Sequence, residues 1–271
     1  MNESRYKDIA VSGSLSRIGN RPAVSLAKTV VALIQTTLVL AAFAGSGWLA
    51  LLSPSVVSAA EAATKDTVAA RIEQAVVELD YPKQVGTDLA LLVRDWPCET
   101  WRKTLSQVRE KYREKKTSVA EVTRTEEAVI KGLYDAISKN FVRCRKEEIP
   151  DHFHLSKILK DKKAQCVGYC QLFYILGNSL GLQVTPINVL ERTSGLRARG
   201  YDHMACCITL TNGQTVMVDV IYEIMSSPFT FQEMFHAVGN YWELEQKDYL
   251  FRIHRRIQML NKNGLRSALY C

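Results

Sequence analysis

Two runs of alternating apolar residues around Asn212-Gly213 constrain the fold of this chain more than any other feature. The runs, DHMACCITL and QTVMVDVIY, predict two antiparallel strands joined by a tight turn. Seven apolar side chains of these runs should share one buried face: Met204, Cys206, Ile208, Leu210, Val216, Val218 and Val220. Strand alternation then places His203 and Asp219 together on the other face.

The length of the turn decides whether His203 and Asp219 can meet. A two-residue turn at Asn212-Gly213 would put the two side chains on opposite faces. A three-residue loop over Thr211–Gly213 sets Asp219 opposite Ala205. It makes Asp219 a diagonal neighbour of His203, with the Cα atoms roughly 7–8 Å apart. Hairpins with glycine in a left-handed third position are a known type. We therefore predict the three-residue loop.

A cysteine opens the helix that precedes this hairpin. The stretch QCVGYCQLFYILGNSLGLQV predicts a helix from Cys166 to Leu180 that Gly181 ends. Unpaired N–H groups and the helix dipole stabilise a thiolate at such a position. A nearby histidine can lower the thiol pKa and shuttle protons, and a carboxylate can fix the histidine tautomer. The hairpin supplies one of each, His203 and Asp219.

Together these stretches resemble the transglutaminase-like superfamily of papain-fold Cys-His-Asp proteins. In that family a Cys opens a helix ending in LG[IL], a His opens a strand, and an Asp lies near the end of the next strand. The resemblance covers about Leu155 to Ile221. It implies that Cys166 is the nucleophile, His203 the general base and acid, and Asp219 the orienting group. It also implies that the backbone N–H of Cys166 contributes to the oxyanion site.

The resemblance implies an α+β fold of the transglutaminase-like or papain-like kind, with the nucleophile helix packed on an antiparallel sheet. It implies acyl transfer, or amide or peptide hydrolysis, through a Cys166 thioester on a protein or peptide substrate. This chemistry requires no cofactor. The chain differs from the common family pattern at three positions. Cys170 stands where a small residue is usual, Ala205 where an aromatic residue is usual, and Ile221 where a threonine is usual.

Two other interpretations start from the same residues. A zinc site could use Cys166, Cys170 and His203, with or without Cys207, although C-x-x-x-C within one helix is weak evidence without a second ligand pair. The domain could also be a binding module that kept the fold without the chemistry. His236 and His254 lie outside the motif, and neither has a role in these interpretations.

The chain divides into three predicted regions. Residues 61–150 read as a helix-rich N-terminal region, and residues 151–271 as the catalytic core. In the first region we predict four helices, which cover TVAARIEQAVVEL, GTDLALLVRDW (capped by Thr87 or Asp88), WRKTLSQVREKYREKK and RTEEAVIKGLYDAISKNF. In the core we also predict a strand over Gln183–Leu190, with Pro186 at a sheet edge or a strand start. The rest of the core reads as short helices and loops.

Residues 1–60 form a predicted targeting segment. Thr29–Leu52 is almost wholly apolar and follows several basic residues, and Val57-Ser58-Ala59 suits a signal peptidase. The apolar run is long enough to span a bilayer. A cleaved signal peptide and an uncleaved signal-anchor are therefore both open. Either one predicts export, with the protein held at the membrane if the segment stays uncleaved.

Charge and cysteine content exclude some classes of function. The formal net charge is +7, and the basic residues outside the leader are too scattered to predict a nucleic-acid partner. The densest basic stretch, FRIHRR, reads as a solvated helix face, and Arg192, Arg197 and Arg199 read as solvated loop residues. The seven cysteines show no disulfide framework.

Overall fold

The structure is a computed structural model that describes residues 66–144, 153–191, 203–245 and 254–268. These residues all belong to one compact unit, Ser58–Cys271. The predicted targeting segment, residues 1–60, lies outside the described residues. The three arginines of the predicted loop, Arg192, Arg197 and Arg199, also lie outside them. Over the described ranges, no helix combines the length and apolarity needed to cross a bilayer.

The chain combines helices with one large sheet, which confirms the predicted α+β class. The helices are α1 (Val68–Glu78), α2 (Lys83–Leu92), α3 (Cys98–Arg113), α4 (Val119–Asn140), α5 (Leu155–Asp161), α6 (Cys166–Leu180), α7 (Phe231–Met234) and α8 (Lys262–Ser267). The strands are β1 (Val142–Arg143), β2 (Lys163–Ala164), β3 (Gln183–Glu191), β4 (Met204–Thr209), β5 (Thr215–Asp219), β6 (Ile224–Met225), β7 (Phe235–Val238), β8 (Tyr241–Leu244) and β9 (Arg256–Met259).

All four helices predicted for the first region are present, but α2, α3 and α4 each start a few residues earlier than expected. Helix α2 begins at Lys83, so the predicted caps Thr87 and Asp88 lie inside it. The earlier start follows from Pro82, which has an extended backbone and a carbonyl that accepts the N–H of Val85. Pro82 therefore closes the first turn of α2 before the expected cap is reached.

Helix α6 is the central element, and its bounds confirm the prediction. Twelve of its fifteen residues are buried, because α1, α3 and α4 pack on one side and β3 and β4 on the other. A helix that is apolar all round requires such burial. It ends as predicted at Gly181, which has φ +90°, while the N–H of Leu182 bonds back to Gly177. The predicted packing of this helix on an antiparallel sheet is therefore present.

Seven strands form one antiparallel sheet in the order β6-β5-β4-β3-β9-β8-β7. The prediction that Pro186 marks an edge or a strand start is wrong, since β3 is the middle strand. The carbonyl of Pro186 accepts the N–H of Leu260, one residue beyond the end of β9. Proline lacks an N–H. The nitrogen of Pro186 faces β9 at the point where the pairing of β3 with β9 ends, so no N–H is needed there.

The C-terminal part contains the predicted short helices, α7 and α8, but it also contains strands that the sequence did not predict. It supplies β6 to β9, and the helix expected for FRIHRR is wrong where the structure describes it. Arg256 begins β9, and His254 is fully buried. Strand β9 is inserted between β3 and β8, and Ile257 packs into an apolar cluster on one face of the sheet. Strands of four residues carry too little alternation to reveal such long-range pairing.

A buried carboxylate fastens the hairpin loop to the helices. Glu126 on α4 is fully buried and accepts two hydrogen bonds from Arg109 of α3, at 3.1 and 2.6 Å. It also accepts the N–H and the hydroxyl of Thr211, at 2.8 and 2.6 Å. Arg109 in turn donates to the carbonyl of Gly181 at the end of α6. One carboxylate therefore links two helices, the end of the central helix and the hairpin loop.

We expect Glu126→Gln to lower the free energy of unfolding by about 3 kcal/mol, because removing one partner of a buried ion pair leaves the other partner uncompensated. Glu110→Gln breaks the exposed pair with Arg113 on α3 and serves as the matched control, with an expected loss below about 0.5 kcal/mol. Urea denaturation of the full-length proteins in mild detergent measures both changes. Equal losses in the two variants would contradict the structural role given to Glu126.

Candidate active site

The turn between β4 and β5 has the predicted three-residue loop. The N–H of Leu210 bonds to the carbonyl of Gln214, and the N–H of Gly213 bonds back to the carbonyl of Leu210. These two bonds enclose Thr211–Gly213 as the loop. Gly213 has φ +83°, the left-handed conformation expected at the third position. The prediction for the turn is confirmed.

The register of the hairpin is also confirmed. Cys206 pairs with Val218, and the same register sets Asp219 opposite Ala205. His203 and Asp219 are then diagonal neighbours in one row of alternating side chains. The two rows of the hairpin fall into different apolar clusters, so both are buried. The first cluster includes Met204, Cys206, Ile208, Leu210, Val216 and Val218, and the second includes Ala205, Cys207 and Met217.

The sheet topology gathers three strand ends at one edge. Strands β4 and β9 both flank β3 and are antiparallel to it, so they run in the same direction. Strand β5 runs against β4. The start of β4, the end of β5 and the start of β9 therefore meet, and they carry His203, Asp219 and His254. Sequence reasoning anticipated the first two of these residues and gave the third no role.

His203 is held between Asp219 and Cys166. Its Nε2 lies 2.5 Å from Asp219 Oδ2, and its side chain is also hydrogen-bonded to Cys166. Burial opposes the charged imidazole, but the bonds to Asp219 and Cys166 outweigh it and raise the pKa of His203 to about 9. The structure thus brings the three predicted site residues together, with the imidazole in the middle.

Asp219 takes part in three hydrogen bonds of the site. Besides His203, its Oδ2 bonds to His254 Nε2 at 2.9 Å, and its Oδ1 accepts the N–H of Tyr222 at 3.2 Å. Burial would raise the pKa of Asp219, but the two imidazoles hold it well below its usual range. The carboxylate is therefore ionised at neutral pH, so each ring nitrogen that contacts it must donate.

Sequence reasoning missed two residues of this site. The Tyr222 ring packs edge-on against the His203 ring, with 4.8 Å between centroids. The hydrogen bond from the backbone N–H of Tyr222 to Asp219 could be anticipated from the local sequence, since an aspartate often accepts a nearby backbone N–H in a turn. His254 has no such signal, because only the insertion of β9 beside β3 brings it to Asp219.

The chain before Cys166 is fixed by short but specific pairing. Strands β1 and β2 are parallel neighbours, and β2 ends two residues before Cys166. One turn into α6, the hydroxyl of Tyr169 donates to the carbonyl of Phe141 at 2.8 Å. These contacts place Cys166 at the first residue of α6, where backbone N–H groups have no acceptor within the helix.

Cys166 is the most accessible cysteine in the described part of the chain. It is partly exposed, whereas the other described cysteines are buried: Cys98, Cys144, Cys170, Cys206 and Cys207. Burial raises the pKa of Cys98 to about 11 and that of Cys207 to about 12. His203 and Asp219 are also almost completely buried. Of the three predicted site residues, Cys166 is therefore the one that is partly exposed to solvent.

The four residues of the predicted zinc alternative do not converge. Cys170 is directed at Cys206 and at the carbonyl of Ala205, while Cys207 belongs to the second apolar cluster. Within the described ranges, one other trio has metal-ligand chemistry: His203, Asp219 and His254. Its contacts of 2.5 and 2.9 Å are shorter than the ~3.3 Å between tetrahedral ligands that sit 2.0–2.1 Å from zinc. The trio is arranged for hydrogen bonding.

Comparisons of the chain with protein-family models, with curated proteins and with solved structures found no match. A partly exposed thiol at a helix N-terminus contacts an imidazole that is protonated at neutral pH. That imidazole in turn contacts a buried carboxylate. This arrangement can hold a thiolate, move a proton to a leaving group and keep the imidazole oriented.

The raised pKa of His203 makes stability depend on pH. The folded-state value of about 9 exceeds the ordinary 6.5, so the proton on His203 stabilises the fold fully below about pH 6.5. That contribution is lost as the pH rises through about 9. It corresponds to about 3 kcal/mol. We expect the advantage of the wild type over His203→Gln in unfolding free energy to shrink by that amount between pH 6 and 9.5.

Urea denaturation of both full-length proteins at several pH values measures this difference. Glutamine is the suitable replacement because its amide can donate a hydrogen bond but does not titrate in this range. An advantage that stays constant across the window would show that His203 is not the titrating group.

Proposed function

We propose that this protein is a transglutaminase-like cysteine enzyme that transfers acyl groups, or hydrolyses amide or peptide bonds, through a thioester on Cys166. The observation that carries the proposal is the Cys166–His203–Asp219 chain of hydrogen bonds, in which Cys166 is partly exposed and the other two residues are buried. The α+β fold, with a nucleophile helix packed on an antiparallel sheet, supports the transglutaminase-like assignment.

The proposed reaction begins with attack of the Cys166 sulfur on the carbonyl carbon of a protein or peptide substrate. The carbonyl oxygen takes up negative charge beside the first N–H groups of α6, where the backbone N–H of Cys166 can donate to it. Collapse of this intermediate breaks the C–N bond, and His203 gives its proton to the departing amine. Asp219 keeps the imidazole oriented throughout.

The second half-reaction restores the thiol. His203, now neutral, takes a proton from water or from an amine as that group attacks the thioester carbonyl. Water completes hydrolysis, and an amine completes a cross-link. The site chemistry is the same for both acceptors. The choice is therefore set by what reaches the thioester, and no cofactor takes part in either route.

The location we propose for this activity follows from the predicted targeting segment, residues 1–60. The enzyme works outside the cytoplasm, either released after cleavage of residues 1–60 or held at the membrane by them. Its partners are a protein or peptide substrate and, if the leader stays uncleaved, the bilayer; nucleic acid is not among them. A catalytically inactive binding module is the alternative, and thiol reactivity separates the two.

The test is the rate of iodoacetamide alkylation of Cys166 between pH 5.5 and 9, followed by peptide mass spectrometry on the full-length protein in mild detergent. We expect fast labelling that persists to about pH 6, because protonated His203 pairs with the thiolate. His203→Ala should slow the labelling at pH 6 at least tenfold. Cys170 lies on the same tryptic peptide, is buried, and serves as the internal control.

Labelling of Cys166 that follows an ordinary thiol, with no change in His203→Ala, would overturn the enzyme proposal and leave the binding module. If the thiol is activated, incubation with unfolded casein and a biotinylated primary amine separates the two acceptors. Biotin on the casein indicates transamidation, and casein fragments indicate hydrolysis. Cys166→Ser is the control for both biotin incorporation and casein cleavage, because it removes the thiolate and keeps the side-chain shape.

A further inference from the structure

We propose that His254 is a positioning residue of this site, which fixes the Asp219 carboxylate so that Asp219 can orient His203. The inference rests on the proposed function, and it adds a fourth side chain to the three that the sequence pattern predicts. The contact that gives His254 this role is its hydrogen bond to Asp219. It acts through Asp219.

The contacts of Asp219 show what His254 contributes. One carboxylate oxygen, Oδ2, receives both imidazoles, His203 at 2.5 Å and His254 at 2.9 Å. The other, Oδ1, receives the N–H of Tyr222 at the longer distance of 3.2 Å. A carboxylate that turned about its Cβ–Cγ bond would lose both imidazole bonds together. Two donors on one oxygen therefore hold the group in the rotation that faces His203.

Burial makes this second donor necessary. The side chains of Asp219 and His254 are both fully inaccessible to solvent, and that of His203 nearly so. Without His254, water cannot readily take its place, and among the described side chains Oδ2 would keep His203 as its donor. A buried ionised carboxylate that loses a donor bears a desolvation penalty. It reduces this penalty by turning or by taking up a proton, and either change releases the ring of His203.

The origin of the two histidines argues for a shared task. His203 precedes β4, and His254 precedes β9. These strands lie on opposite sides of β3, so the carboxylate at the end of β5 collects one imidazole from each. The rings of the two histidines do not stack, since their centroids are 6.1 Å apart at 45°. Among the described contacts, Asp219 is the group that both histidines share.

Two replacements of similar size separate positioning from packing. In His254→Gln the amide nitrogen reaches about as far as Nε2 and can donate to Asp219, whereas His254→Leu has no donor. We expect Cys166 alkylation at pH 7 to stay within about threefold of wild type in the glutamine variant. In the leucine variant it should fall about tenfold. His236→Leu replaces a half-exposed histidine near Glu243, and it should leave the rate unchanged.

A proton spectrum supplies a readout that packing alone would not move. The N–H of His203 that donates to Asp219 should give a strongly downfield signal in the wild type and in His254→Gln. The signal should weaken or shift in His254→Leu. If leucine prevents folding, as judged by circular dichroism, His254→Asn takes its place. Its amide stops short of the Nε2 position, so it should behave as a non-donor.

The outcomes separate this inference from the proposed function. Fast Cys166 labelling in the wild type with unchanged rates in His254→Leu would overturn the positioning role and leave the enzyme proposal intact. Equal impairment of the glutamine and leucine variants would overturn it in favour of packing. Slow, ordinary labelling of the wild type, with no downfield signal, would instead overturn both proposals. A loss confined to the non-donor variants supports the role given to His254.

Discussion

The register of the β4–β5 hairpin is the constraint on which the rest of the site depends. A slip of one residue would turn Asp219 away from His203, and it would exchange the two buried rows of side chains. Because each row packs into its own apolar cluster, such a slip would disturb both faces of the sheet. The Glu126 carboxylate fixes the same register from outside, since it holds the backbone and the hydroxyl of Thr211 in the loop.

The charged groups of the site stabilise one another in a place that water barely reaches. Alone, Asp219 would be driven toward its protonated form by burial, and His203 toward its neutral form. Together, their hydrogen bonds outweigh burial in both cases, so the ion pair persists at neutral pH. Helix α6 then brings a partly exposed thiol to the solvent side of this pair. Cys166, the nucleophile of the proposed function, is therefore partly exposed, whereas His203 and Asp219 are buried.

Sequence patterns were sufficient where the structure is local. Helix α6, its glycine stop, the three-residue loop and the meeting of His203 with Asp219 all follow from spacing within about 55 residues of chain. Local errors are confined to helix starts, such as that of α2, and the larger errors arise where distant strands pair. Pro186 lies in the middle strand because β9, from the C-terminal part, pairs with β3. Strand β9 ends one residue before the position where it would require an N–H from Pro186. The burial of His254 depends on that same pairing.

Strand β9 therefore links the C-terminal part of the chain to the site. It pairs with β3 along one side and with β8 along the other, so its position is set by two ladders. Its side chain Ile257 joins the apolar cluster that also receives Ala205 and Cys207 from β4. His254, two residues before the strand, then reaches Asp219. The packing that buries β9 and the hydrogen bond that restrains Asp219 are consequences of one strand insertion, so a change that loosened β9 would also loosen the carboxylate.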